Sequence, residues 1–352
     1  MKSLILALLP FAACSSQGAF SSAYPGNYLI LVDKTDNELQ VIEPNSGWTR
    51  DSAPTDPGPH EVAASRDGQY AVTADYGDAT PGHTLDVYSL LLRRMDYTID
   101  IAPYTRPHGI AFLDRRTRLL VTSEASNAVL EVDITSRSVV RAMNTGGERP
   151  RLLAIASDRS RVYTTNMGSG TVSAIDLSTG QVVNSASVGN EPEAIDLSPD
   201  GAELWVGLRK DDKLVVLDAH TLEKRAELSC AHFPTRLKFT PDGDRVLVAN
   251  NGSGDVAVFD ARARRETLRI ALAPQAEDGV YPPEFAGGEH PGPADLLIEP
   301  RGRYAYVSES RTNRLLAIDL SKLVICGSIQ TGNGPCGLSW TFIPEMSPFM
   351  TR

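Results

Sequence analysis

The sequence predicts an all-β protein built as a ring of seven four-stranded blades, and three observations carry that expectation. A unit of about 42 residues recurs along nearly the whole chain. Within each unit, short β-branched and apolar stretches alternate with Gly, Pro, Asn and Asp turns, and no long amphipathic helix is visible. The chain also starts in mid-unit and finishes on an unpaired first strand, so its two ends complement each other.

The clearest unit shows the elements in order. A strand at 162–166 (VYTTN) is followed by a Gly-Ser-Gly turn, a strand at 171–176 (TVSAID) and a Ser-Thr-Gly turn. An outer strand at 181–188 and the segment 191–201, which ends in Pro199-Asp200-Gly201, complete it. The Asp-Gly pairs at 67–68, 200–201 and 242–243 suit tight hairpins, whose backbone needs the positive φ that Gly accepts. A proline opens the first strand of each unit, at Pro59, Pro107, Pro150, Pro192, Pro234, Pro293 and Pro335. Its missing N–H costs no ladder bond at a strand entrance. Seven marks therefore mean seven units, each the size of a propeller blade. The stretches 28–32 and 39–43 lack an inner strand of their own, and the last stretch, 337–343, lacks outer ones. Pairing them completes the seventh blade and removes an exposed sheet edge, giving a single cooperative seven-bladed β-propeller domain over 24–352. A closed ring has no unpaired edge that demands a partner, so a monomer is expected.

VYTTN at 162–166, VLVAN at 246–250, PHGIA at 107–111 and LSPDG at 197–201 resemble the YVTN-type repeat of bacterial seven-bladed propellers, over about 28–343. The superfamily it resembles spans surface-layer proteins, lactonase-like hydrolases, the haem d1 domain of nitrite reductases and a subunit of amine dehydrogenase. The resemblance therefore implies a fold but leaves the chemistry open.

Composition narrows the function. The 352 residues carry 34 Lys and Arg against 44 Asp and Glu, a formal charge of −10, which excludes a nucleic-acid surface. The locally basic stretch 261–269 (ARARRETLR) falls on an outer turn and strand and reads as a solvated blade edge. Residues 1–23 read as an export signal: Lys2, an apolar run over 4–13, then small residues before a cleavage point after Ala23. Ala12-Ala13-Cys14 also resembles a lipobox, which would make Cys14 a lipid anchor. The expected location is the periplasm or the cell surface, with no transmembrane segment in the mature chain. Cys14, Cys230, Cys326 and Cys336 form no CxxC or CxxCH motif, so no redox dithiol, zinc knuckle or c-type haem attachment is expected. GxSxG, HExxH and P-loop motifs are absent too, which removes conventional serine hydrolases, helical zinc enzymes and nucleotide hydrolases.

Lettering the strands A to D from the axis outward puts the proline loops (D to A) and the B-to-C loops on one face, taken here as the top. His60, His83, His108, His232 and His290 fall on that face; only His220 does not. Two long insertions, 77–84 and 273–291, are also on top, and the second, bearing Tyr281, is a candidate cap for the channel mouth. Residues following the marker prolines should face the axis: His60, His108, Arg151, Glu193, Thr235, Ala294 and Cys336. His60 and His108 could hold a metal or act as a general base, and Arg151 could receive a carboxylate or phosphate. Glu193, His232, His290 and Tyr281 complete the candidate ligand-binding set. A second ring comes from the ends of the B strands, Asp33, Asp75, Ser123 with Glu124, Asn166, Arg209, Asn250 with Asn251, and Glu309, whose carboxylate and amide oxygens suit a hard cation. The resemblance to propeller lactonases would assign such ligands to Asp33, Asn166, Asn250 and Glu309. The expected role is binding of a small molecule or protein partner at the top of the channel. The alternatives are a metal-assisted, lactonase-like hydrolase or lyase using a divalent cation, with His60 or His108 moving a proton, and a haem-like cofactor with His60, His108 or His232 as axial ligand.

Overall fold

The computed structural model describes residues 26–272 and 292–343, all of them in strands, turns or loops. Seven four-stranded antiparallel sheets form the ring. Six are contiguous in sequence: blade one (59–100), two (107–144), three (150–187), four (192–229), five (234–271) and six (293–330). Blade seven is assembled from both ends of the chain, with Pro335–Phe342 pairing antiparallel to Asn27–Asp33, followed by Glu38–Glu43 and Trp48–Pro54. The expected closure is therefore observed. The predicted leader 1–23 and the insertion with Tyr281 and His290 lie outside the described residues.

Burial follows strand position. Middle strands are covered on both faces and read as near-continuous apolar runs, as in Val246 to Ala249, all fully buried. Outer strands alternate, as in Val182–Ser187, where every second side chain meets solvent. The apolar side chains gather into seven clusters, each lying between two adjacent blades: Tyr28, Ile30 and Tyr88, for example, close the seam between blades seven and one. Stability therefore resides in blade-to-blade packing, and no blade can bury its faces alone. The Asp-Gly hairpins adopt the expected backbone, with φ of 71° at Gly68, 73° at Gly201 and 77° at Gly243.

Near the axis the inner strands approach closely. A Cβ on Gly337 would sit 2.7 Å from the Cα of Glu61 and 2.8 Å from the carbonyl oxygen of His60, both backbone atoms of the next inner strand. Gly337→Ala should therefore force apart the seam between the closing strand of blade seven and the inner strand of blade one, at a cost of about 1–3 kcal/mol. The check is the urea unfolding midpoint; an unchanged midpoint would mean that the seam does not hold the ring.

Candidate functional site

One backbone device, repeated around the ring, builds the top of the channel. In every blade the pairing between strands A and B slips just after the marker proline, leaving a β-bulge. Bulges re-aim side chains, and here two consecutive residues after each proline are freed from ordinary strand alternation. The residue before the proline accepts, at its carbonyl, the N–H of the residue that ends strand B: Tyr76 to Gly58, Glu124 to Arg106, Arg209 to Glu191 and Lys34 to Gly334. Arg106, Arg149, Glu191 and Phe233 hold positive φ of 48–64° in that position. Such strain persists only where neighbours over-determine it, and several of these amides are fixed by an Asx side chain: Arg149 N–H donates to Asn127, Phe233 N–H to Asp212 and Gly334 N–H to Asn313.

The hydroxyls in the repeat serve the same device. Thr122 accepts the bulge N–H of Gly109 at 2.8 Å and donates to the Arg151 carbonyl of the next blade at 2.7 Å. Thr165 joins Leu152 to Glu193 in the same way, and Ser308 joins Asp295 to Cys336.

Below the mouth the channel is plugged. Arg236, on the inner strand of blade five, reaches across the axis to ion-pair with Glu61 of blade one, and also pairs with Asp295 at 3.2 Å and Glu193 at 3.3 Å. Its guanidinium lines both a top depression of about 370 Å3 and a lower cavity of about 300 Å3, so it floors the first and roofs the second. Glu193 also meets Arg209 at 2.7 Å and Arg151 at 3.3 Å, while Arg151 holds Glu124 at 2.7 Å. Burial alone would raise Glu193, but Arg151, Arg236 and Arg209 outweigh it and hold its carboxyl down to about 2. Glu61 goes the other way, because burial exceeds the help it receives from Arg236 and Arg151. Burial, with Glu61 nearby, likewise lifts Asp295 to about 6.

His60, Arg151, Glu193, Thr235, Ala294 and Cys336 all line the depression. His108, fully buried, lies behind His60 with ring centroids 4.3 Å apart. Tyr76 packs edge-on to both rings, at 5.8 and 5.9 Å. His60 Nδ1 is 3.6 Å from Glu61 Oε1 and 3.4 Å from Cys336 Sγ. Neither ring nitrogen of His108 has a hydrogen-bond partner among the described residues, and its Nδ1 stands 4.0 Å from Glu61. Burial first, and then Arg151 and the other nearby cations, keep both imidazoles neutral at pH 7. Burial also pushes the Cys336 thiol up to about 12, so it is no nucleophile. No disulfide joins Cys230, Cys326 and Cys336.

Four expected ligands stay apart. Asp33 accepts from Gln40, Asn166 donates to Ser173, Asn250 donates to Asp255, and Glu309 accepts from the Gly292 amide; each bond is internal to one blade or its entry loop. The bulge turns the residues after the proline to the axis, whereas the first three of these strand ends bond to their own C strands and Glu309 to its entry loop. His232 is at the rim, 65% exposed and bonded to Asp212. The tilted pair of His60 and His108 leaves no gap for a porphyrin between them.

The structure adds residues that the sequence reading missed. Glu61, Arg236 and Asp295 each stand second after a marker proline, where other blades place Gly109, Leu152, Ala194 and Gly337. Lys34 follows its B strand by one residue, and Tyr76 holds the equivalent place near the end of the longer strand Tyr70–Gly77. The Lys34 ammonium lies 5.7 Å from the Tyr76 ring centroid, with Arg106 at 4.7 Å and Arg151 at 5.8 Å around the same ring. No carboxylate of the described residues pairs with Lys34. Burial, reinforced by Arg151 and Arg106, lowers its pKa from 10.5.

Arg236→Met should cost about 3–5 kcal/mol at pH 7, because it strands Glu61 and Asp295 in a buried site while Glu193 keeps Arg151 and Arg209. Glu61 and Asp295 hold protons more tightly folded than unfolded, so the variant's deficit should shrink as pH falls from 7 through about 6. Denaturant unfolding across that range is the check, and a deficit independent of pH would contradict the assignment.

Residues 119–226 match a family model described as YNCE-like beta-propeller, and residues 180–274 match one described as Lactonase, 7-bladed beta-propeller. No curated protein sequence matches the chain. Among solved structures, Kuenenia stuttgartiensis hydrazine synthase is similar at a TM-score of 0.70 and 14% identity, over 83% of this chain and 92% of that one. Identity that low speaks to the fold alone. With the ring and its closure, these likenesses make the chain a seven-bladed β-propeller similar, through its central repeats, to the YNCE-like and lactonase propellers.

Proposed function

We propose that the protein binds a small organic anion, of the carboxylate class, in the depression at the top of the channel. One observation carries the reading. In a chain of net charge −10, the depression is lined by four cationic side chains, Lys34, Arg151, Arg209 and Arg236, and by one carboxylate, Glu193. At about 370 Å3 it falls in the size range of small-molecule sites, and its floor is closed by the Arg236 ion network. Lys34 supplies an ammonium with no carboxylate partner of its own among the described residues. Arg151 and Arg209, tethered by Glu193, supply guanidiniums already held in place, so little side-chain entropy is lost on binding. Phe233, which stacks under Arg209 at 4.2 Å, and His60 give the depression an apolar and a neutral polar wall. An export segment at 1–23 would place this binding in the periplasm or at the cell surface. Lys34→Gln should weaken binding of a small carboxylate roughly tenfold or more, the scale of one lost charged hydrogen bond. Binding should also weaken as salt rises, and as pH rises toward a lysine pKa that sits below 10.5. Calorimetric titration with mono-, di- and tricarboxylates, and with phosphate, is the test. No heat from any of them, or an unaltered affinity in Lys34→Gln, would sink the proposal.

A second reading rests on a different observation, the orphaned nitrogens of His108. Ligand atoms of His60, Glu61 and His108 lie within 4.8 Å of one another, a two-histidine, one-carboxylate set that suits a divalent transition metal. Such an ion would act as a Lewis acid toward a bound carbonyl, as in a lactonase-like hydrolase. Arg236 and Arg151 weigh against it, since one already occupies Glu61 and both repel a cation. Elemental analysis of untagged protein should therefore find no stoichiometric transition metal; one equivalent, lost in His108→Ala, would make the hydrolase reading the better one.

A further inference from the structure

Blade one carries a second group of acids, away from the mouth depression, and the other blades act as its controls. The register between strands B and C pairs Asp33 with Glu38 in blade seven, Asp75 with Thr84 in blade one and Asn166 with Thr171 in blade three. Two residues further along strand C stand Gln40, Asp86 and Ser173 in the same three places. In blade seven the buried Asp33 meets a neutral amide, whose Nε2 donates to its Oδ2 at 2.7 Å while its Oδ1 has no partner among the described residues, so what sets blade one apart is the second acid opposite. In blade three the buried Asn166 donates to a hydroxyl at 2.9 Å. In blade one the buried Asp75 meets a second buried acid, Asp86, and a third, Asp56, arrives from the loop before the marker proline. One carboxylate oxygen of each lies within 4.8 Å of the others.

The donors present do not neutralise this group. Asp86 accepts from the Asp56 amide at 2.7 Å and from the Thr98 hydroxyl. Asp75 is 0% exposed; Thr73 donates to its Oδ1 at 2.7 Å, while its Oδ2 has no partner among the described residues. No Lys or Arg forms an ion pair with any of the three among the described residues. A buried carboxylate oxygen without a donor, set against two further carboxylates, calls for either a proton or a bound cation. Oxygen ligands about 2.4 Å from a calcium ion stand at most about 4.8 Å apart across it, a limit within which one oxygen from each of the three acids falls.

We propose that Asp56, Asp75 and Asp86 form a site for a hard divalent cation, calcium best, with the Thr98 hydroxyl and water completing the oxygen shell. The ion would tie the loop entering blade one to strands B and C of that blade, beside the long 77–84 insertion that carries Arg106-bonded Asp78. Its role is to brace the wall from which Tyr76 reaches the mouth, and it is independent of the anion proposed there.

The test uses the full chain, stripped with chelator and then titrated with calcium. One equivalent should bind and raise the thermal midpoint by several degrees, magnesium should do less, and Asp75→Asn should abolish both effects. Asp33→Asn, the matching change in blade seven, should leave calcium binding intact. Should the buried variant fail to fold, Asp56→Asn, which is half-buried, should fold and lose about tenfold or more in calcium affinity. Two outcomes overturn the proposal: no heat and no midpoint shift with calcium, magnesium or manganese at millimolar concentration, or calcium binding undiminished in the Asp75 and Asp56 variants. A chain that ignores cations but gains stability on mild acidification would show that Asp75 and Asp86 share a proton instead.

Discussion

The Arg236 guanidinium is the interaction on which the rest of the channel depends. It starts on blade five and meets carboxylates from blades one, four and six, so a single side chain couples four of the seven blades at the axis. A bare ring of inner strands would leave a tunnel. Arg236 with Glu61 and Asp295 turns that tunnel into a cup, and the cup gives the top face a place where a small molecule could be held rather than pass through. The network also sets the electrostatics above it. Glu193 is shared among three guanidiniums and is therefore fixed as an anion, whereas Glu61 and Asp295 share the Arg236 guanidinium and burial raises the pKa of both. Buried ion pairs of this sort add little net stability over apolar packing, but removing one member is costly. Their contribution here is geometric: they fix where the cations of the mouth stand.

The fold was legible because a propeller writes itself seven times. The marker prolines gave the blade count and the start of every inner strand, and the incomplete units at both ends gave the closure through Pro335–Phe342. Residue roles were less legible, for one reason. Reading one axis-facing residue after each proline found His60, Arg151 and Glu193, but the β-bulge delivers two residues to the channel, and the second set holds Glu61, Arg236 and Asp295. A signal for them existed: charged side chains at a position that other blades fill with Gly, Ala or Leu. Lys34 and Tyr76 carried no such signal, since other blades fill the same position with Glu124, Met167, Arg209, Asn251 and Ser310, and only the packing of blade seven on blade one brings the two together. The acidic strand ends misled in the opposite direction. Asp33, Asn166, Asn250 and Glu309 look like a converging oxygen ring when counted along the chain, yet the first three bond to their own C strands and Glu309 to the Gly292 amide of its entry loop.

The same repeat that fixes the scaffold leaves its chemistry to departures from the repeat. Thr122, Thr165 and Ser308 satisfy bulge amides in three blades and hand a hydrogen bond to the next blade, which is structural work in a regular position. Among the described residues the paired imidazoles, a Lys34 without a carboxylate partner and the acid-on-acid contact of Asp75 with Asp86 are departures of this kind; Asp86, for one, stands where other blades place Gln40, Leu130, Ser173, Val215, Ala257 and Leu316. Such breaks in a locally consistent pattern are where function is expected to reside.

The most direct measurement of the central claim, a cationic cup floored by Arg236, is the anomalous difference map of a crystal of the full chain soaked in bromide. The account expects the strongest halide peak inside the depression, within contact distance of Lys34 and of Arg151 or Arg209, with the Arg236 floor intact beneath it. A depression without halide while exposed surface arginines carry it, or an open channel with Arg236 turned away from Glu61, would contradict the account.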